Sequence, residues 1–223
     1  MAERIERGKS IAASLQHVVF FPSTARDKYP TIIAIHGRGT NENDLVPLVL
    51  SLSIPSVLLV APRAPFPFPY DGFVWYDLGQ EGIPERNTFR TSIGTLQKFV
   101  GEVRQGYPVD TERLLLLGFS QGTVMAYATA LSDPASFLGV AALSGYIPHR
   151  SGLPLKLTAL KGFRVFISHG TDDSIIPARL GREASELLQR AGASVTYREY
   201  PMGHEVSENT MHDLSAWLRS ILS

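Results

Sequence analysis

Three observations predict an α/β architecture for this chain, with a mostly parallel central sheet and helices on both faces. Strand-like apolar runs alternate with helical stretches along the chain, as crossover units do. The run Leu114 to Leu117 is four leucines long, as expected of a strand buried on both faces of a sheet. Residues suited to chemistry fall just after such runs, where open parallel sheets gather their ligands. The 223 residues suit one domain, 1–223, with a full core.

Composition narrows the function. At 44% hydrophobic and 19% charged, the chain is globular rather than disordered. Its longest apolar runs are strand-sized and stop at Gly or Pro, so no transmembrane segment is expected. Residues 1–7 carry mixed charge and no apolar run, so no secretory signal is expected and the location expected is cytoplasmic. Net charge is zero with no basic run, which argues against nucleic acid as a partner. The absence of cysteine removes disulfides, thiolate nucleophiles and cysteine-ligated zinc together. A homodimer is compatible with the sequence.

The elements follow in order. His17 to Phe21 is the first strand, ended by Pro22-Ser23, and Arg26 to Pro30 reads as a turn. Thr31 to Ile35 is a β-branched central strand. A polar loop leads to a helix over Asp44 to Leu52, with Asn41 or Asn43 as N-cap. Ser56 to Val60 is another buried strand. Pro65 to Asn87, rich in proline, glycine and aromatics, is too irregular for a long helix and too apolar for a linker. This segment is expected to form one wall of an acyl pocket, with Trp75, Phe73 and the more distant Ile176 touching substrate; the alternative for any single aromatic is a ring that plugs the rim of the core. Helical spacing marks Thr88 to Gln105, Thr123 to Leu131, Ala178 to Ala191 and Val206 to Leu222. Strands are expected at Leu138 to Leu143, Phe163 to Ile167 and Val195 to Tyr200.

Gly118-Phe119-Ser120-Gln121-Gly122 lies between the leucine strand and a helix, the setting of a nucleophile elbow. Such a turn strains the Ser120 backbone, lifts its hydroxyl clear of the sheet and needs glycines where strand and helix approach. The plain alternative is a glycine-rich turn with a solvent-facing serine. Gly37-x-Gly39 begins like a dinucleotide fingerprint, but Glu42 replaces the third glycine and would repel a pyrophosphate. The better reading is an oxyanion loop, its donors the backbone amides of Arg38 and Gln121 with their side chains incidental.

A serine nucleophile needs a base. In folds with this elbow the acid and then the histidine follow the serine along the chain. Of six histidines only His204 and His212 lie beyond a plausible acid loop. His204 follows the last strand, whereas His212 sits in a helical stretch and reads as surface. His36 and His169 read as loop-shaping residues. Asp172 and Asp173 are adjacent, so one of them faces the base.

These residues resemble the phospholipase/carboxylesterase branch of the α/β-hydrolase family, which includes the acyl-protein thioesterases. The shared motifs are His36-Gly37-x-Gly39, Gly118-x-Ser120-x-Gly122, Gly170-x-x-Asp173-x-x-Ile176-Pro177 and Gly203-His204, in order across nearly the whole chain. The resemblance implies an α/β-hydrolase fold, a Ser120, His204 and Asp173 triad, oxyanion donors at Arg38 and Gln121, and no cofactor or metal. Thr40 stands where thioesterase members usually carry aspartate, and Thr123 where they often carry glycine. Gly37-Arg38-Gly39-x-Asn41-Glu42 is closer to bacterial carboxylesterases. The expected function is a serine carboxylesterase acting on small to medium acyl esters. An acyl-protein thioesterase or lysophospholipase with the same triad is the alternative, and a non-catalytic ligand-binding protein on this fold is the rival of another class.

Overall fold

The computed structural model describes residues 5–52, 54, 56–79, 83–158 and 160–222. Eight strands form one sheet: β1 (Ile5–Arg7), β2 (His17–Pro22), β3 (Tyr29–Ile35), β4 (Leu58–Pro62), β7 (Val109–Phe119), β8 (Gly139–Leu143), β9 (Arg164–Gly170) and β10 (Ser194–Tyr200). Their spatial order is β1-β2-β4-β3-β7-β8-β9-β10. Within this sheet only β1 with β2 and β2 with β4 pair antiparallel; from β4 to β10 every neighbour is parallel. A separate hairpin joins β5 (Phe66–Phe68) to β6 (Gly72–Val74). This is the α/β-hydrolase arrangement, mostly parallel with helices on both faces.

Side-chain alternation explains the layers. On β7, Leu114 and Leu116 join a core under α2 (Arg86–Gly106), α3 (Gln121–Ser132) and α4 (Ala178–Arg190). Leu115 and Leu117 point the other way, to a core under α1 (Val46–Ser51) and α5 (Glu208–Leu222). All four leucines are fully buried, which is why the run is continuous rather than alternating. On α2 the helical repeat of about 3.6 residues puts Phe89, Ile93, Leu96, Phe99, Val100 and Val103 on its buried face.

Several boundaries differ from the sequence reading. Tyr29 and Pro30 belong to β3, because Tyr29 donates its N–H to Pro108 O at 2.8 Å and so extends the ladder. Helix α1 begins at Val46 behind Leu45 and has no side-chain cap. Asn41 instead accepts the Asn43 N–H at 3.0 Å, and this local turn takes the residues expected to cap the helix. Strand β4 starts at Leu58, since Ser56 turns the chain at φ 56. Helix α2 begins two residues early, because Glu85 accepts the N–H groups of Asn87 and Thr88. The segment expected to be irregular contains the β5–β6 hairpin; its residues 80–82 lie outside the described residues.

Chain order reverses between β3 and β7: β4 follows β3 on one side, and β7 lies on the other. The carboxyl ends of β3 and β7 therefore open a crevice at a topological switch point.

Three histidines are held neutral inside this frame. His17 Nδ1–H donates to Leu15 O at 3.0 Å while Nε2 accepts the Tyr107 hydroxyl at 2.7 Å. His36 Nε2 accepts the Ala64 N–H at 3.0 Å, so its proton sits on Nδ1, 2.7 Å from Gly37 O. His169 Nε2–H donates to Ile176 O at 2.7 Å. Burial pushes all three below the ordinary value of 6.5, outweighing the backbone bonds that raise them. In the unfolded chain each takes a proton near 6.5, so below that pH the unfolded state binds more protons than the folded one. Stability then falls on acidification by up to about 1.4 kcal/mol per pH unit for each ring. Asp173 and Glu42, whose folded pKa values are lowered from 3.8 and 4.5, lose their contribution only at lower pH. Guanidinium unfolding at pH 7.5 and 5.5 should therefore show a clearly lower midpoint at 5.5; equal midpoints would contradict neutral burial.

Candidate active site

Ser120 stands where β7 gives way to α3, with φ 55 and ψ −120. A non-glycine residue held there carries strain of about 1–3 kcal/mol. The glycines around it answer to crowding. A Cβ on Gly118 would lie 2.5 Å from the Gly122 carbonyl carbon, and one on Gly122 would lie 1.9 Å from Ile35 O. The Ser120 N–H donates to Leu143 O at 2.9 Å. Thr123 Oγ1 lies 2.7 Å from both Gly118 O and Leu143 O, and accepts the Leu143 N–H at 3.1 Å. These bonds fasten the strained turn to the sheet.

His204, just after β10, bridges two partners. Its Nδ1–H donates to Asp173 Oδ2 at 2.7 Å, since a carboxylate only accepts. That leaves Nε2, 2.8 Å from Ser120 Oγ, to accept the hydroxyl proton. The Asp173 side chain is wholly buried, and its Oδ1 accepts the N–H groups of Ile175 and Ile176 at 2.9 and 2.8 Å. Burial pushes this carboxyl up, but hydrogen bonds from His204, Ile176 and Ile175 prevail and hold it below its ordinary range. Asp172 faces outward, where it accepts the Thr171 hydroxyl. His212 is exposed beside Asp213. His169 was readable only as loop-shaping; through Ile176 O it fastens the loop that carries Asp173.

The loop after β3 lies against the elbow: a Cβ on Gly37 would come within 3.6 Å of that of Ser120. Arg38, Ser120 and Gln121 line one cleft. Among the described residues, the amides of Arg38 and Gln121 donate to no backbone carbonyl, leaving both free for a ligand. The exposed Arg38 guanidinium lies 4.4 Å from the Phe68 ring centroid, across the β5–β6 hairpin.

The Gln121 side chain is not incidental. Its Oε1 accepts the Trp75 N–H at 2.8 Å and its Nε2 donates to Tyr76 O at 2.7 Å. Trp75 itself is 0% exposed, and its Nε1–H donates to His36 O at 3.0 Å. It supports the loop from behind and does not line the cleft, contrary to the expectation from its sequence. Phe73 is likewise displaced from that expected role. Its backbone pairs with Gly39 and Thr40 at 2.9 and 2.8 Å, and its ring carries the Arg63 guanidinium at 4.5 Å. An aromatic-rich run does not distinguish a pocket wall from a scaffold, because either role buries rings.

Ile176 does line the cleft, which has a volume of about 440 Å³. Tyr76, Leu78, Ile83, Ile175 and Leu180 share the lining, giving a mainly apolar trough beside Ser120. That volume falls within the range usual for ligand sites, about 300–1,000 Å³. Among the described residues, no group of three or more His, Asp or Glu side chains could hold a metal ion. No helix among them is long and apolar enough to cross a membrane.

The model of the family described as Phospholipase/Carboxylesterase matches residues 18–222. The chain is 29% identical over 219 residues to acyl-protein thioesterase 1 of Debaryomyces hansenii, covering 90% of this chain and 94% of that one. It is 33% identical over 113 residues to a probable carboxylesterase, SOBER1-like, of Arabidopsis thaliana, covering 50% of this chain and 43% of that one. The crystal structure of the Bacillus cereus carboxylesterase shares the fold with a TM-score of 0.80 at 24% identity, covering 93% of this chain and 94% of that one. Motif order, crevice position and these likenesses agree: the chain belongs to the phospholipase/carboxylesterase family of carboxylic ester hydrolases.

Proposed function

We propose that this chain is a serine esterase that hydrolyses small to medium acyl esters through an acyl-enzyme on Ser120. The observation that carries the reading is His204, hydrogen-bonded to Ser120 Oγ on one ring nitrogen and to Asp173 on the other. His204 Nε2 takes the hydroxyl proton as Oγ attacks the ester carbonyl. Asp173 keeps the imidazole in the required tautomer and stabilises its charged form. Negative charge developing on the carbonyl oxygen meets the Arg38 and Gln121 amides, beside the positive end of α3. Collapse expels the alcohol, which takes the proton from His204; water, activated by the same ring, then releases the acid.

The acyl chain is assigned to the apolar trough, with Ile176 and Leu180 against it. Thioester or lysophospholipid hydrolysis is the second reading. It is favoured by two large apolar side chains at the cleft, Leu78 and Ile175, which are 66% and 67% exposed and would lengthen the trough for a longer chain.

Ser120→Ala should lower turnover by about 10⁴-fold or more while thermal unfolding stays close to wild type. A variant that kept most of its rate would remove the nucleophile assignment. Across p-nitrophenyl esters from acetyl to palmitoyl, kcat/KM should peak at short to medium chains. A peak at palmitoyl, or a matched thioester hydrolysed faster than its ester, would shift the assignment to the second reading.

A further inference from the structure

Glu42, the residue that breaks the nucleotide-like glycine pattern, takes no direct part in that chemistry. Its side chain is buried, at 5% exposure, in the loop that presents Arg38. Arg63, beyond the end of β4, grips it with two parallel bonds: Nε to Oε2 and a terminal nitrogen to Oε1, both 2.6 Å. The other terminal nitrogen donates to Gln16 Oε1 at 2.9 Å, and the guanidinium lies 4.5 Å from the Phe73 ring centroid. Phe73 in turn holds Gly39 and Thr40 through its backbone. On the other side, His36 is held by Trp75 and Ala64. Arg38 therefore sits on a short span fixed at both ends, and a planar fork sets the direction of its far end as well as its distance.

We propose that Glu42 and Arg63 act as a positioning pair that aims the Arg38 amide at the developing oxyanion. The proposal rests on the esterase reading, in which that amide is a donor. Donors of this kind act only within a narrow range of position, and removing one lowers kcat by about 10²–10³-fold. Loosening the span should lower kcat by about 10–100-fold, because the amide is displaced rather than lost.

Glu42→Gln, which retains shape but removes the charge, is assayed on p-nitrophenyl acetate with active sites titrated by a fluorophosphonate. Per titrated site, kcat should fall about 10–100-fold with KM within about twofold. Affinity for an alkyl boronic acid, whose serine adduct places an oxygen where the oxyanion forms, should fall by a similar factor. The pH profile should keep its midpoints, since His204 and Asp173 are untouched. Wild-type kcat per titrated site, or loss of titratable sites alone, would overturn the proposal and leave the pair a purely structural one. Should Glu42→Gln fail to fold, the double variant Glu42→Met/Arg63→Met, which leaves neither charge buried alone, is judged by the same readouts. Ser120→Ala is run in parallel. An active Ser120→Ala would refute the esterase reading itself, whereas an inactive Ser120→Ala with unimpaired Glu42→Gln refutes only the positioning role.

Discussion

Everything at the carboxyl face depends on one unfavourable backbone conformation, that of Ser120. A serine with φ 55 persists only where its surroundings leave no better choice. The long central strand brings the chain into the turn through the buried run Leu114 to Gly118, and helix α3 leaves at once with every residue from Gln121 to Leu131 buried. Gly118 and Gly122 permit a backbone approach that any side chain would block. Relaxing the serine would mean withdrawing the helix from the core, so the packing of two apolar layers holds the strain in place.

That same constraint made the elbow legible. Its parts are local and chemically unambiguous: glycines two residues either side of a serine, behind four buried leucines. The central strands were legible for a related reason, since burial on both faces leaves continuous apolar runs that few other settings produce. His204 and Asp173 followed from chain order and motif, and the structure brings their side chains together across 31 residues. Helix starts were read less well. Asn41 has the right chemistry for a cap, but the turn it makes with Asn43 leaves the helix to begin at Val46.

The support around the oxyanion loop was hidden because it is distant along the chain and has no period. Glu42 and Arg63 are 21 residues apart, Trp75 and His36 are 39, and Gln121 reaches Trp75 across 46. Each side chain taken alone is ordinary: a charge in a polar loop, an aromatic in a proline-rich run, a glutamine after a serine. Only the fold reveals that the buried tryptophan is a strut and that the glutamine joins two segments. The expectation that Phe73 and Trp75 line a pocket failed for this reason, while Ile176 does line the cleft.

The parts of the cleft differ in how firmly they are tied. On the hairpin side, Trp75, Tyr76 and Phe73 are hydrogen-bonded through side chain or backbone to the elbow and the loop after β3. At the rim, Leu78 and Ile175 are exposed on loops. Substitutions at those lips can accumulate without disturbing the reactive groups, whereas changes beneath the hairpin pass directly to them. Divergence of substrate range within this architecture has an open route at the rim, and the chemistry is insulated from it.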